Sequence, residues 1–160
     1  MEKLRILAVD DNSISLAAIE QELKKEYEVI PVNSGSRALQ YLRREKPDLI
    51  LLDIQMAQKD GIETLREIRE MEKCKDIPVI MLTSKQDKSA VVETSKLGIY
   101  DYVLKPFKGE DLHQRINRVL RNCRKIIGRK KRWQYSMMYR QWNSFGCLAA
   151  TSQPAGRCGR

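Results

Sequence analysis

The sequence predicts an α/β domain, a parallel sheet with helices on both faces, and three observations carry that expectation. Short apolar runs alternate strictly with segments of helical periodicity, five of each over about 120 residues, which is the pattern of successive βα units. The central run, Leu49-Ile50-Leu51-Leu52, is apolar at consecutive rather than alternate positions, as a strand covered on both faces must be. Four of the five runs stop at polar or charged residues: Asp10-Asp11, Asp53, Thr83-Ser84 and Lys105-Pro106.

In chain order, Leu4 to Val9 reads as the first strand, and the polar residues through Asn12-Ser13 can cap the helix that follows. Leu16, Ile19 and Leu23 recur at helical spacing as far as Lys25. Tyr27 to Val32 reads as a second strand, and Pro31 places it at an edge because proline cannot donate to the ladder. Ser34-Gly35-Ser36 opens a second helix through Leu39 and Leu42 to about Arg44, and Lys46-Pro47 breaks the chain before the central strand.

After Asp53 a loop runs to Asp60-Gly61, and Ile62, Leu65, Ile68 and Met71 mark a third helix. Ile77 to Leu82 reads as the fourth strand. Residues 88–97 form a fourth helix with Ala90, Val91, Thr94 and Leu97 inward and Gly98 as its stop. Tyr100 to Leu104 is the fifth strand. The last helix starts near Gly109 and carries Leu112, Ile116, Val119, Leu120, Cys123 and Ile127 as a core stripe.

With 160 residues and 42% hydrophobic content, the chain suits one domain with an appendage. The net charge of +9 belongs to the appendage. Residues 1–122 hold 21 Lys/Arg and 21 Asp/Glu, while the remaining 9 of the 30 Lys/Arg lie in 123–160 beside no acid. Cys74, Cys123, Cys147 and Cys158 are widely spaced and share the chain with a single histidine, His113, so a zinc site is not expected. No leader and no apolar run of about 20 residues is evident, which predicts a soluble, cytoplasmic protein with reduced thiols.

In a parallel sheet the strand ends project at one rim, which brings Asp10, Asp11, Asp53, Thr83 and Lys105 together. Each has an ordinary reading taken singly: Asp10 and Asp11 as helix caps, Asp53 as a solvated strand-end acid, Thr83 as a strand end, Lys105 as a surface cation. Five at successive strand ends form a pattern. Crowded carboxylates repel and drift toward neutrality unless a cation intervenes, and Mg2+ suits hard oxygen donors while keeping a position for a phosphate oxygen. A lysine and a hydroxyl complete a phosphoryl site in which Asp53 can be the nucleophile.

Val9-Asp10-Asp11-Asn12, Asp53-Ile54-Gln55-Met56 with Asp60-Gly61, Met81-Leu82-Thr83-Ser84 and Tyr102-Val103-Leu104-Lys105-Pro106-Phe107 together resemble a response-regulator receiver domain of two-component signalling, CheY-like, over residues 1–124. The resemblance implies a flavodoxin-like, doubly wound parallel sheet of order 2-1-3-4-5. It also implies a phosphoryl group accepted on Asp53 from a histidine kinase or phosphotransfer protein. It implies Mg2+ held by the side chains of Asp11 and Asp53, by Asp10 through water, and by the backbone carbonyl of Gln55. Thr83 and Tyr102 match the family's switch pair, which reshapes the face of the fourth helix, fifth strand and fifth helix, a face that offers a homodimer surface. Lys105-Pro106 matches a position where the family has a cis peptide, aiming the lysine inward.

Two departures stand out: Ala57 where the family usually has proline, and Lys59 where an apolar residue is common, so the loop after Asp53 is expected to be looser. The resemblance also implies that Gln55 and Ser84 flank the path an attacking water takes in the family and would tune the lifetime of the phosphorylated state. A flavin module on the same fold is disfavoured by Asp10-Asp11 where hydroxyls and amides would surround a phosphate. A phosphohydrolase with a nucleophilic aspartate would want a second acid at the position of Gln55, so turnover of a substrate is not expected.

Residues 125–160 form a basic aromatic tail, with Gly128-Arg129-Lys130-Lys131-Arg132 followed by Trp133, Tyr135, Tyr139 and Trp142, and contain no recognisable output domain. Three readings stay open. The tail can be disordered or a remnant, a continuation of the last helix pairing protomers through Trp133, Met137 and Trp142, or a segment touching nucleic acid or an anionic membrane surface.

Overall fold

Five parallel strands alternate with helices. The computed structural model describes residues 2–84 and 88–123, with only the backbone for residues 88, 89 and 91. The strands are β1 (Arg5–Val9), β2 (Glu28–Val32), β3 (Leu49–Asp53), β4 (Val79–Thr83) and β5 (Asp101–Leu104). The helices are α1 (Ser13–Leu23), α2 (Gly35–Arg44), α3 (Gly61–Glu70) and α4 (Lys88–Lys96), and residues 109–123 are helical, here α5. The readings of Val91, Ile127 and residues 125–160 fall outside the described residues.

The sheet runs β2-β1-β3-β4-β5, the flavodoxin-like order. Pairing is parallel throughout, with Leu7 opposite Ile50 and Ile50 opposite Val79. β2 is an edge strand, and Pro31 sits in it opposite Ala8, where the missing N–H costs the sheet nothing on its open side. β3 lies in the middle, and all five of its residues are buried. Burying each of its leucines and isoleucine contributes roughly 1.5–3 kcal/mol.

Successive residues of a strand face opposite sides, so each buried strand supplies both layers. Leu7, Val9, Ile50, Leu52, Val79 and Met81 join Leu39 and Leu42 of α2 and Leu65 and Ile68 of α3 in one cluster, with Ala90 of α4 and Leu97 just after it packed against it. Helix α5 contacts α1 through His113, whose Nε2 lies 3.0 Å from the Glu22 carbonyl oxygen, and the turn after α1 through the Tyr27 hydroxyl, which donates to Asn117 Oδ1 at 2.8 Å.

Strand starts fall later than hydrophobicity alone suggests. Tyr27 N–H bonds the Leu23 carbonyl and Ile77 N–H the Cys74 carbonyl, so both buried side chains anchor turns that leave a helix rather than ladder positions. Three helix starts have their own side-chain caps. Asn12 accepts from Ile14 N and Ser15 N, Ser34 from Arg37 N, and Asp60 from Glu63 N. Gly98, at φ 72°, ends α4 in the left-handed region that glycine enters without strain.

Candidate functional site

The order of the sheet decides where chemistry can sit. From β1 the chain turns one way to β2 and the other way to β3, and the crevice at their carboxyl ends is the switch point where open α/β sheets bind ligands. Asp10 and Asp11 follow β1, and Asp53 is the last residue of β3. The capping reading of these acids does not apply, because Asn12 caps α1 and Asp60 caps α3. Their carboxylates are left to the rim, where all three offer oxygens within 4.8 Å of one another.

Asp10 is fully buried, Asp53 nearly so, and Asp11 is exposed. Lys105, after β5, reaches across the sheet to place Nζ 2.6 Å from Asp10 Oδ2 and 3.1 Å from Asp53 Oδ2. The Lys105-Pro106 peptide is cis. Asp10 Oδ1 also accepts from Asn12 N at 2.9 Å, so this buried carboxylate is held on both oxygens. Thr83, buried at the end of β4, donates its hydroxyl proton to the Ser84 carbonyl at 3.1 Å.

Electrostatics set Asp53 apart. Burial, reinforced by the negative charge of Asp10, raises its pKa from 3.8 to about 6, against the pull of Lys105 and the Gln55 backbone N–H toward the charged form. The Lys105 pKa is raised as well. Burial by itself lowers its pKa, and the hydrogen bond to Asp10 with the charges of both carboxylates outweighs it, so the ammonium is held protonated. Three acids with hard oxygen donors, one of them reluctant to ionise, are chemically suited to a small divalent cation.

The loop after Asp53 is tied more firmly than the departures at Ala57 and Lys59 suggest. Ala57 N–H donates to Asp11 Oδ2 at 2.8 Å, a bond that proline in its place could not make. Lys59 pairs with Glu67 of α3. Gly61 N–H closes the loop on the Ile54 carbonyl at 2.9 Å. A Cβ on Gly61 would lie 2.0 Å from the Asp53 carbonyl oxygen, so only glycine lets α3 start this close to the acid.

All of Asp10, Asp11, Asp53, Thr83 and Lys105 therefore lie at the strand ends that the sequence assigns them. Tyr102 stands apart on β5, partly buried, with its hydroxyl 3.0 Å from Thr94 Oγ1. Two contributors escape sequence reasoning. Ala57 acts through its backbone, which side-chain identity does not report. Thr94 reads as one inward position of α4, and a hydroxyl among apolar neighbours is the signal that marks it.

A family model described as the response regulator receiver domain matches residues 6–117. The chain belongs to this family. Among solved structures, a CheY chemotaxis protein of Vibrio cholerae superposes with a TM-score of 0.70 at 28% identity, covering 73% of this chain and 98% of that one. The receiver domain of a sensor histidine kinase of Pseudomonas aeruginosa, with a magnesium ion coordinated in its active-site cleft, gives a TM-score of 0.68 at 32% identity over 74% of this chain and 98% of its own. The alkaline phosphatase synthesis transcriptional regulatory protein PhoP of Bacillus subtilis is 35% identical over 118 residues, 73% of this chain and 48% of that protein. The receiver chain thus spans about half the length of such curated relatives. Receiver domains are phosphoacceptor switches of two-component response regulators, and this fold is theirs. Among the described residues, no helix is long and apolar enough to cross a membrane.

Proposed function

We propose that this receiver accepts a phosphoryl group on Asp53 from a histidine kinase or phosphotransfer protein and, with Mg2+, converts the modification into a change of its α4, β5 and α5 face. The observation that carries the reading is the pairing of Asp53 with Lys105 at 3.1 Å inside a three-acid rim. In the transfer, an Asp53 carboxylate oxygen forms a bond to phosphorus while the donor's bond to phosphorus breaks. The leaving group keeps that electron pair.

Lys105 is positioned to balance charge on the phosphoryl oxygens and the Thr83 hydroxyl to donate to one of them. Asp11 and Asp53, Asp10 through water, and the Gln55 carbonyl would hold Mg2+, which when bound neutralises charge on the phosphoryl group. Swinging Thr83 toward the phosphoryl group exchanges its bond to Ser84, and Tyr102 turns into the vacated space. The protein is then a signalling element of the cytoplasm, with residues 1–124 as the switch and residues 125–160 as an appendage. It is not an enzyme with turnover beyond its own phosphotransfer and dephosphorylation.

Incubation with acetyl phosphate and Mg2+, read by intact mass, tests this. A single phosphoryl increment on the native chain, absent after chelation and absent in Asp53→Asn, is expected. No increment under any donor, or one that survives Asp53→Asn, contradicts it. A second reading keeps the same switch and gives the basic tail a nucleic-acid or anionic-membrane surface to grip. DNA mobility shifted by the whole chain but not by residues 1–127 would favour that reading.

A further inference from the structure

We propose that Thr94 is the latch for the switch tyrosine: its buried hydroxyl accepts the phenolic proton of Tyr102 and so ties the partly buried position of that ring to helix α4. The proposal rests on the reading of Tyr102 as the switch residue.

Proton bookkeeping favours Tyr102 as the donor of this bond, in which either oxygen could donate. Thr94 is fully buried, and its Oγ1 donates to the Ala90 carbonyl one turn earlier at 2.8 Å. A hydroxyl has one proton and two lone pairs. With that proton committed to the helix backbone, the 3.0 Å contact with the Tyr102 oxygen has Tyr102 as donor. An inward threonine hydroxyl that bonds its own helix can still accept, and Tyr102, partly buried against the core cluster that also receives Ala90 and Leu97, reaches it.

The acceptor is stationary because the end of α4 is pinned. Arg69 of α3 donates from Nε to the Leu97 carbonyl at 3.0 Å and from one terminal nitrogen to Gly98 at 3.0 Å. Its other terminal nitrogen reaches the carbonyls of Ile77 at 2.9 Å and Lys75 at 3.1 Å. One guanidinium thus joins the turn that ends α4 to the segment that enters β4. Thr94 sits within one turn of that anchor, so rotation of Tyr102 outward breaks the bond rather than dragging the helix along. A net hydrogen bond of this kind biases the two rotamers by about fivefold, equivalent to about 1 kcal/mol. By linkage, removing it disfavours by the same factor any state of Asp53 that requires the ring inward.

The test uses the full chain carrying fluorotyrosine, with the Tyr102 fluorine signal assigned by its loss in Tyr102→Phe, with and without acetyl phosphate and Mg2+. Thr94→Val keeps the shape and removes the lone pairs, whereas Thr94→Ser keeps the hydroxyl. The valine variant is expected to shift the Tyr102 signal toward the outward form by about fivefold in population and to lower phosphorylated occupancy by a similar factor, with serine restoring both. Coincidence of Thr94→Val with the native signal, or Thr94→Ser matching Thr94→Val, overturns the latch.

Should the valine variant not fold, the Thr94→Ala variant replaces it in a cycle with Tyr102→Phe. Non-additive effects on occupancy support the bond, and additive ones overturn it. If no chain takes up phosphoryl, the receiver reading of Asp53 fails, while the fluorine comparison in unmodified protein still decides the latch.

Discussion

Replacing Asp53 with asparagine should stabilise the metal-free protein near neutral pH, although it removes the proposed phosphoacceptor and one of the contacts to Lys105. The carboxyl pKa is raised from 3.8 to about 6 by burial and by Asp10. The folded state therefore binds the proton more tightly than the unfolded chain between those values. Stability falls as pH rises from about 4 to about 6, and the cost is fully present above 6. At full weight the shift is worth about 3 kcal/mol, and water at the exposed Asp11 side of the rim leaves about 1–2 kcal/mol. Asparagine has the shape of the protonated acid and escapes this cost.

For a domain of about 120 residues that gain raises Tm by about 4–8 °C. Thermal unfolding in chelator should show the difference between Asp53→Asn and the native chain at pH 7.5 and show it vanish at pH 4. Millimolar Mg2+ should then close part of the gap by stabilising the native chain alone. An asparagine variant less stable than the native protein at pH 7.5, or a gap independent of pH, would refute the account of a strained acidic rim.

Three further outcomes follow from the same contacts. Lys105→Met leaves Asp10 buried without its cation, so denaturant titration at pH 7.5 should show a loss of about 2–3 kcal/mol, smaller at pH 5 where Asp53 carries a proton. Ala57→Pro deletes the N–H that holds Asp11, and calorimetric titration should show Mg2+ affinity reduced about fivefold. Arg69→Met leaves four carbonyls at the end of α4 and before β4 without their donor. Hydrogen exchange in residues 94–98 should speed up and global stability drop by about 2–4 kcal/mol, whereas exchange in β1 should rise only as far as global stability falls.

The sheet and its rim were legible because parallel strands buried on both faces leave consecutive apolar residues, and because Asp10, Asp53, Thr83 and Lys105 stand at their ends. The strand order came from resemblance, since periodicity cannot say which strands are neighbours. Strand limits at Tyr27 and Ile77 were missed because apolarity reports burial and not pairing. Ala57 is invisible in sequence for a different reason: any residue but proline supplies its N–H. Thr94 and Arg69 act across 6 to 29 positions, and no local pattern encodes which carbonyl or phenol each will meet.

The central claim is that Asp53, among the three acids of the rim, is the group that enters the phosphorylated state. Borohydride reduces an acyl phosphate to the alcohol, so a phosphorylated aspartate becomes homoserine. Peptide mapping after acetyl phosphate, Mg2+ and borohydride should find homoserine at position 53 and leave Asp10 and Asp11 unchanged. Homoserine at position 10 or 11, or at none of the three, would contradict the account.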